Sequence, residues 1–211
     1  MKFASFILLI FITSQSFSQT FATTDDGKKV ILNDDSTWHY VADNNSTEKT
    51  DTTSKRAVIR PLTAQTLQPS ERNKFGIWYN NTKWKISAQK VNPVAEFTFI
   101  NAGKFPEAYC MVITERVQIG LDLLKKQVVT NSRQNVENYK LVREEYLTVN
   151  NHKVLHMVFT GNVQGIEAEY DAYYSTDQSG VIQAVCFTSR NLFSSYEKDF
   201  NDILNGLVVR Q

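Results

Sequence analysis

The chain has 211 residues, of which 42% are hydrophobic and 12% aromatic, a composition that suits a globular protein with a buried core. Its 23 Lys and Arg residues balance 22 Asp and Glu residues, for a formal net charge of +1. This balance argues against a dedicated nucleic-acid-binding protein, because such proteins normally carry a basic surplus.

The first eighteen residues have the pattern of a signal peptide. Lys2 precedes the apolar run FASFILLIFI, residues 3–12, which is too short to span a bilayer. Small residues then lead to an expected cleavage between Ser18 and Gln19. We therefore predict residues 1–18 as a signal peptide and the mature protein as exported, either periplasmic or secreted, without a membrane span.

The segment after the signal, residues 19–41, is predicted as a small β-meander. Asp26-Gly27 is a hairpin signal, NDDS is a second turn, and TWHYV reads as a third strand. A unit of this size buries little surface, so it either packs on a neighbour or serves as a contact element.

Residues 42–69 are predicted as a flexible linker. The stretch ADNNSTEKTDTTSKRA contains no large apolar residue and is rich in Ser, Thr, Asn and Asp. Pro61 and Pro69 discourage continuous regular structure in the part that leads into the main domain.

From residue 70 onward alternating apolar residues predict one α+β domain over 70–211. The strands KFGIWYN and KWKIS flank Asn80-Asn81, and the strands VAEFTFI and EAYCMVIT follow. A helix comes next, predicted from apolar residues spaced four, three and four apart: Val117, Leu121, Leu124 and Val128.

Four strands and a second helix complete the predicted domain. Asn150-Asn151 joins YKLVREEYLTV to KVLHMVFTG, and the strands GIEAEYDAYYS and VIQAVCFTS follow. The final helix has Ser194 and Glu197 at capping-box spacing, and Gly206 marks its last turn. We predict an antiparallel sheet of about six or seven strands covered by two main helices, since each amphipathic helix needs an apolar face.

Three aromatic residues, Trp78, Tyr79 and Trp84, lie close together around the first turn of this domain. They are typical either of a binding platform or of a hydrophobic core. We favour the core, because each Trp can bury roughly 150–250 Å² there.

The order of elements resembles the PsbP/Mog1-like superfamily, which includes exported bacterial domains of unknown function. FGIWYNNTKWKI resembles the family opening F-x-I-x-Y-P-x-x-W, with Asn80 where members often have Pro. The later strands and the final F-x-x-I-L-x-x-L helix follow the family order over roughly residues 70–209. The resemblance implies an α-β-α sandwich and a non-catalytic role, since characterised members mostly bind protein partners.

Cys110 and Cys186 both lie inside strand-like runs. In an exported chain such a pair can form a disulfide, while two buried free thiols are the alternative. A disulfide needs Cα atoms about 4.4–6.8 Å apart.

The residue types that carry chemistry form no recognisable catalytic or metal-binding set. His152 and His156 are four apart, which on a strand separates them by about 13 Å, too far to share a metal. His156 is therefore expected to be a hydrogen-bonded structural residue. The alternating row Glu167, Glu169 and Asp171 is expected to form a solvated outer face rather than a Ca²⁺ site. We predict no catalytic residue, no cofactor and no metal.

These observations predict a non-enzymatic exported binding or accessory protein that engages an envelope or extracellular protein, and no nucleic acid. The alternative is a carrier of a small apolar ligand between sheet and helix. Its pocket would be lined by aromatic residues: Phe97, Phe99, Tyr170, Tyr174 and Phe200. An enzyme is a third possibility, which a deep pocket with His156 hydrogen-bonded to a carboxylate would revive.

Overall fold

The computed structural model describes residues 20–23, 29–32, 38–40, 57–103, 107–163 and 165–210. The predicted signal peptide, 1–18, and the first part of the predicted linker, 42–56, lie outside the described residues. The chain divides into two compact units, of which one spans residues 11–51 and the other contains every described residue from 57 onward.

The smaller unit contains an antiparallel sheet of three short strands in the order β1-β2-β3. The strands are β1 (Thr20–Thr23), β2 (Lys29–Leu32) and β3 (Trp38–Tyr40). Each strand pairs with the next one along the chain. This is the meander that the turn signals in the sequence predict.

The described part of the larger unit contains eleven strands and two helices. In chain order they are β4 (Ala57–Val58), β5 (Thr66–Pro69), β6 (Phe75–Tyr79), β7 (Trp84–Ile86), β8 (Phe97–Asn101), β9 (Ala108–Glu115), α1 (Leu121–Asn135), β10 (Glu137–Val149), β11 (His152–Val163), β12 (Ile166–Asp177), β13 (Gly180–Ser189), α2 (Phe193–Leu204) and β14 (Leu207–Val209). A short 3₁₀ turn, Arg190–Leu192, precedes α2.

Eight of these strands form the main sheet, in the order β4-β10-β11-β12-β13-β9-β8-β7. Among the described strand pairs, only β4, which has two residues, runs parallel to its neighbour β10; the others are antiparallel. The remaining strands form a second sheet in the order β14-β6-β5. β6 is not part of the main sheet, because β5 and β14 pair with both of its edges.

The main sheet is covered on both faces, so its central strands are buried on both sides. One face packs against α2 and the second sheet, around Phe75, Phe99 and Phe200. The other face packs against α1, around Leu124 and Val128. The predicted α+β fold with two main helices is confirmed, and the main sheet has eight strands instead of six or seven.

The last part of the predicted linker, 57–69, contributes β4 and β5 to the two sheets. Pro69 is tolerated because β5 is an edge strand, where a missing N–H leaves no central ladder bond unmade. The Asn150-Asn151 hairpin is confirmed, since both residues have the positive φ of a primed turn, 47° and 66°.

The helix ends differ from their sequence signals. α1 begins at Leu121, so Val117 lies outside it. α2 begins at Phe193 with Leu192 as its N-cap and no side-chain cap. The capping-box prediction for Ser194 and Glu197 is wrong, because the 3₁₀ turn leads directly into the helix and leaves Ser194 inside its first turn.

Candidate functional site

A row of aromatic rings crosses five neighbouring strands on the α1 face of the main sheet. The rings lie on β9, β13, β12, β11 and β10: Tyr109, Phe187, Tyr170, Phe159 and Tyr139. Successive ring centroids are 5.4, 5.6, 4.6 and 5.4 Å apart. Four of the rings, from Tyr109 to Phe159, lie in register on neighbouring antiparallel strands and so point to the same face, where aromatic pairs stabilise the sheet. Tyr139 joins the row beside a register shift in β10, where Phe159 pairs with Leu141.

An open cavity of about 240 Å³ lies over the β9 end of this row, and we call it the aromatic groove. Its floor is formed by Tyr109, Tyr170 and Phe187. Ile166, at the start of β12, and Leu192, in the 3₁₀ turn, contribute apolar walls. The groove is therefore an apolar depression on the surface of the larger unit.

The groove lies where the strands change from large to small side chains. Tyr170 faces Phe187 in the register of β12 and β13, and the next pair on the same face is Ala168 with Ser189. Both smaller residues line the cavity. Sequence reasoning missed the groove, because this step is visible only once the strand register is known.

The groove contains one charged residue among its described lining residues, Glu107. The Glu107 carboxylate accepts a hydrogen bond from the Tyr196 hydroxyl at 2.9 Å. Burial raises the pKa of Tyr109 and raises the pKa of Tyr170 to about 12, so both phenols are neutral at physiological pH. The groove thus combines a neutral aromatic floor with one carboxylate.

Of the residues predicted to line a ligand pocket, only Tyr170 lines the groove. Phe97, Phe99 and Phe200 belong to the core on the α2 face of the sheet. Tyr174 is buried on the α1 face and does not line either described cavity. Tyr109, Ile166 and Leu192 were not singled out by the sequence analysis.

His156 lies in the core and bonds two carboxylates. Its Nε2 is 2.8 Å from Asp171 Oδ1, and its Nδ1 is 3.0 Å from Glu145 Oε1. Each ring nitrogen therefore has a carboxylate oxygen within hydrogen-bond distance. The ring also packs edge-on against Tyr173 at 5.1 Å. Both ring nitrogens have partners in the core, and His156 does not line either described cavity.

The acidic row on β12 is not a uniformly solvated face. Glu167 is exposed, Glu169 is half-buried, and Asp171 is buried against His156. The expectation fails for Asp171 because α2 and the second sheet cover this face of the main sheet toward its centre. Burial and the neighbouring carboxylates raise the pKa of Glu169, against the effect of Arg190.

The two tryptophans near the first turn have different environments. Trp84 is buried and stacks on Phe200 with ring centroids 6.2 Å apart, as the core interpretation expects. Trp78 is half-buried, and the Arg60 guanidinium lies 4.2 Å from its ring centroid. Trp78 therefore covers the second sheet at the surface and is not a full core residue.

The two cysteines are buried in the α2-face core. Among the described residues, no group of three or more His, Cys, Asp and Glu side chains is arranged to hold a metal ion. None of the described helices is long and apolar enough to cross a membrane.

Comparison with known sequences identifies one family. The model of a family described as "Protein of unknown function (DUF3157)" matches residues 1–132. No curated protein matches the sequence.

Comparison with solved structures identifies the fold. The cyanobacterial PsbP protein CyanoP from Synechocystis sp. PCC 6803 is 13% identical, with a TM-score of 0.53 over 71% of this chain and 94% of that chain. This likeness confirms, at the level of the fold, the resemblance to the PsbP/Mog1-like superfamily.

Two further structures match less closely. A protein of unknown function from Pseudomonas aeruginosa, PA94, is 10% identical with a TM-score of 0.46, over 69% of this chain and 97% of that chain. A mutant of Mog1 is 8% identical with a TM-score of 0.45, over 68% of this chain and 95% of that chain.

Proposed function

This chain belongs to the DUF3157 family, whose members are described as proteins of unknown function, and we propose that it is an exported, non-enzymatic protein that binds a protein partner in the cell envelope. The signal-peptide pattern of residues 1–18 supports export. The aromatic groove is the docking surface.

The observation that carries this proposal is the open groove with its ready-made aromatic floor. Pockets for small molecules usually have volumes of roughly 300–1,000 Å³ and enclose most of the ligand. The groove, at about 240 Å³, is smaller and open to the surface. It fits one or two apolar side chains of a partner, which is how protein interfaces place their anchor residues.

The charge of the groove defines the rest of the partner's chemistry. Glu107 places a carboxylate beside the apolar floor. A cationic side chain next to the apolar anchor would complement it, and such complementarity favours the correct partner over others. The occupant we propose is therefore a protein segment with an apolar anchor and an adjacent Lys or Arg.

The non-enzymatic part of the proposal is supported by the position of His156. Both of its ring nitrogens are occupied by Glu145 and Asp171. It lies on the sheet face opposite the groove, because Asp171 alternates with the groove residue Tyr170. None of the described residues that line the groove is a histidine that could act as a general base on a bound molecule.

Site-specific photo-crosslinking in intact cells tests this function. A photoreactive phenylalanine analogue at Ile166, which is 46% exposed at the groove, should crosslink a defined envelope protein. The matched control is Val142, an aliphatic strand residue that is 54% exposed and outside the groove. Adding Ala168→Trp, which fills the groove, should abolish the crosslink from Ile166.

Two results would contradict the proposal. One is the same set of crosslinked proteins from Ile166 and from Val142. The other is a crosslink that persists when Ala168→Trp fills the groove. Native mass spectrometry distinguishes the proposed function from the alternative one. A small apolar molecule that co-purifies with the protein, and that Ala168→Trp expels, would identify a ligand carrier.

A further inference from the structure

Cys110 and Cys186 face each other directly across two neighbouring strands. They are register partners on β9 and β13. Directly opposed residues of antiparallel strands have Cα atoms about 4.5 or 5.5 Å apart, depending on the hydrogen-bond pattern. Both values lie within the range of about 4.4–6.8 Å that a disulfide requires. The register thus places the two Cα atoms within the separation that a disulfide requires.

The two thiols also share one environment. Both belong to the buried core between the main sheet and α2, and their exposed fractions are 1% and 0%. They lie close enough for the thiols to hydrogen-bond to each other. The chain between them includes α1 and the strands β10, β11 and β12, so a bond here would close a long loop across the centre of the sheet.

We propose that Cys110 and Cys186 form a cross-strand disulfide in the exported protein, which locks β9 to β13. The two thiols lose two protons and two electrons as the S–S bond forms. The electron acceptor is the disulfide of a thiol oxidase or of oxidised glutathione, which is reduced to two thiols.

The bond forms while the sheet is assembling. Thiol–disulfide exchange needs a thiolate that can reach the oxidant. In the folded protein both sulfur atoms are inaccessible, and burial raises the pKa of the Cys186 thiol. A folded, reduced molecule is therefore oxidised only through transient opening, and a folded, oxidised molecule is reduced equally slowly. The disulfide therefore stabilises the folded sheet and does not act as a redox sensor at the surface.

This inference is independent of the groove. Tyr109 and Phe187 alternate with the two cysteines and face the opposite side of the sheet. Groove binding and disulfide formation can therefore succeed or fail separately.

Oxidative refolding followed by mass spectrometry tests whether this disulfide forms. The reduced, unfolded exported chain is refolded with a mixture of reduced and oxidised glutathione, unfolded again, and treated with N-ethylmaleimide. We expect a product about 2 Da lighter than the reduced chain that takes up no maleimide. A Cys110→Ala control should retain one reactive thiol.

A second measurement requires no variant. Dithiothreitol should reduce the folded, oxidised protein at least about tenfold more slowly than the unfolded, oxidised protein, because the bond is exposed only by opening. Two maleimide adducts after refolding, or glutathione attached to either cysteine as the main product, would overturn the disulfide. Equal reduction rates for the folded and unfolded forms would show that folding does not protect the bond, which would contradict its buried, cross-strand position.

Discussion

At the scale of single residues, the hydrogen-bonded group of His156, Asp171 and Glu145 shows most clearly what a polar side chain needs in order to stay in the core. His156 and Asp171 are each 3% exposed, whereas the Glu145 side chain is 35% exposed. A buried charge is tolerated only when it is paired and hydrogen-bonded. Asp171 and His156 are thus stable in the core only together.

Removing His156 should therefore be costly. His156→Leu leaves Asp171 buried without its partner and should lower the free energy of unfolding by about 3–5 kcal/mol. Glu145→Gln affects a partly exposed group and should cost less than about 1 kcal/mol. Urea unfolding measures both. The double variant His156→Leu/Asp171→Leu should recover part of the loss, and a double variant less stable than His156→Leu alone would contradict this account.

The burial of His152 predicts a pH dependence of the protein's stability. Burial lowers its pKa from 6.5, and Nε2 has no hydrogen-bond partner among the described residues. As the pH falls below about 6.5, the unfolded chain takes up a proton before the folded chain does. The folded state therefore loses stability on acidification through this window, until the pH reaches the lowered pKa of the folded state.

Comparing unfolding free energies at about pH 7 and about pH 5 should show a smaller loss in His152→Gln than in the wild type. The comparison isolates this residue, because the other titrating groups are common to both proteins. An identical loss in the two proteins would show that His152 does not contribute to the pH dependence.

At the scale of elements, strand alternation was readable from the sequence and strand partnership was not. The pattern of GIEAEYDAYYS places Ala168 and Tyr170 on one face, which the structure confirms. The groove arises only because Ala168 lies opposite Ser189 in the register with β13. Asp171 was misjudged for the same reason, because a helix and a second sheet cover its face.

The prediction for the C-terminal segment failed for the same reason, because strand partnership could not be read from the sequence. The helical spacing of Phe200 and Leu204 predicts α2, but Leu207 was read as part of the helix and begins β14 instead. The signal that was available is Gly206. A Cβ there would lie 1.8 Å from the Trp78 carbonyl oxygen, so the close approach of β6 requires glycine.

This contact predicts a difference between two glycines. Gly206→Ala forces backbone segments apart and should cost about 2–3 kcal/mol in the free energy of unfolding. Gly165→Ala is the control, because Gly165 has a φ of 79° but no atom within 4 Å of its added Cβ. That substitution should cost about 1 kcal/mol from backbone strain alone. Chemical denaturation measures both, and an equal cost would contradict the close approach.

At the scale of the whole molecule, the fold class was predictable from the sequence and the aromatic groove was not. The order of strands and helices was sufficient to recognise the PsbP/Mog1-like resemblance, which the likeness to CyanoP confirms for the fold. The groove depends on Tyr109, Ile166 and Leu192, which come from three separate elements. Their proximity is a property of the assembled sheet and leaves no local pattern in the chain.

The most direct test of groove-mediated binding is the affinity of the crosslinked partner for three purified forms of the protein. Ile166→Asp places a charge beside the aromatic floor and should raise the dissociation constant at least about tenfold, or about 1.4 kcal/mol. Val142→Asp, outside the groove, should change it by less than about twofold. Equal dissociation constants for the wild type and Ile166→Asp would contradict the account.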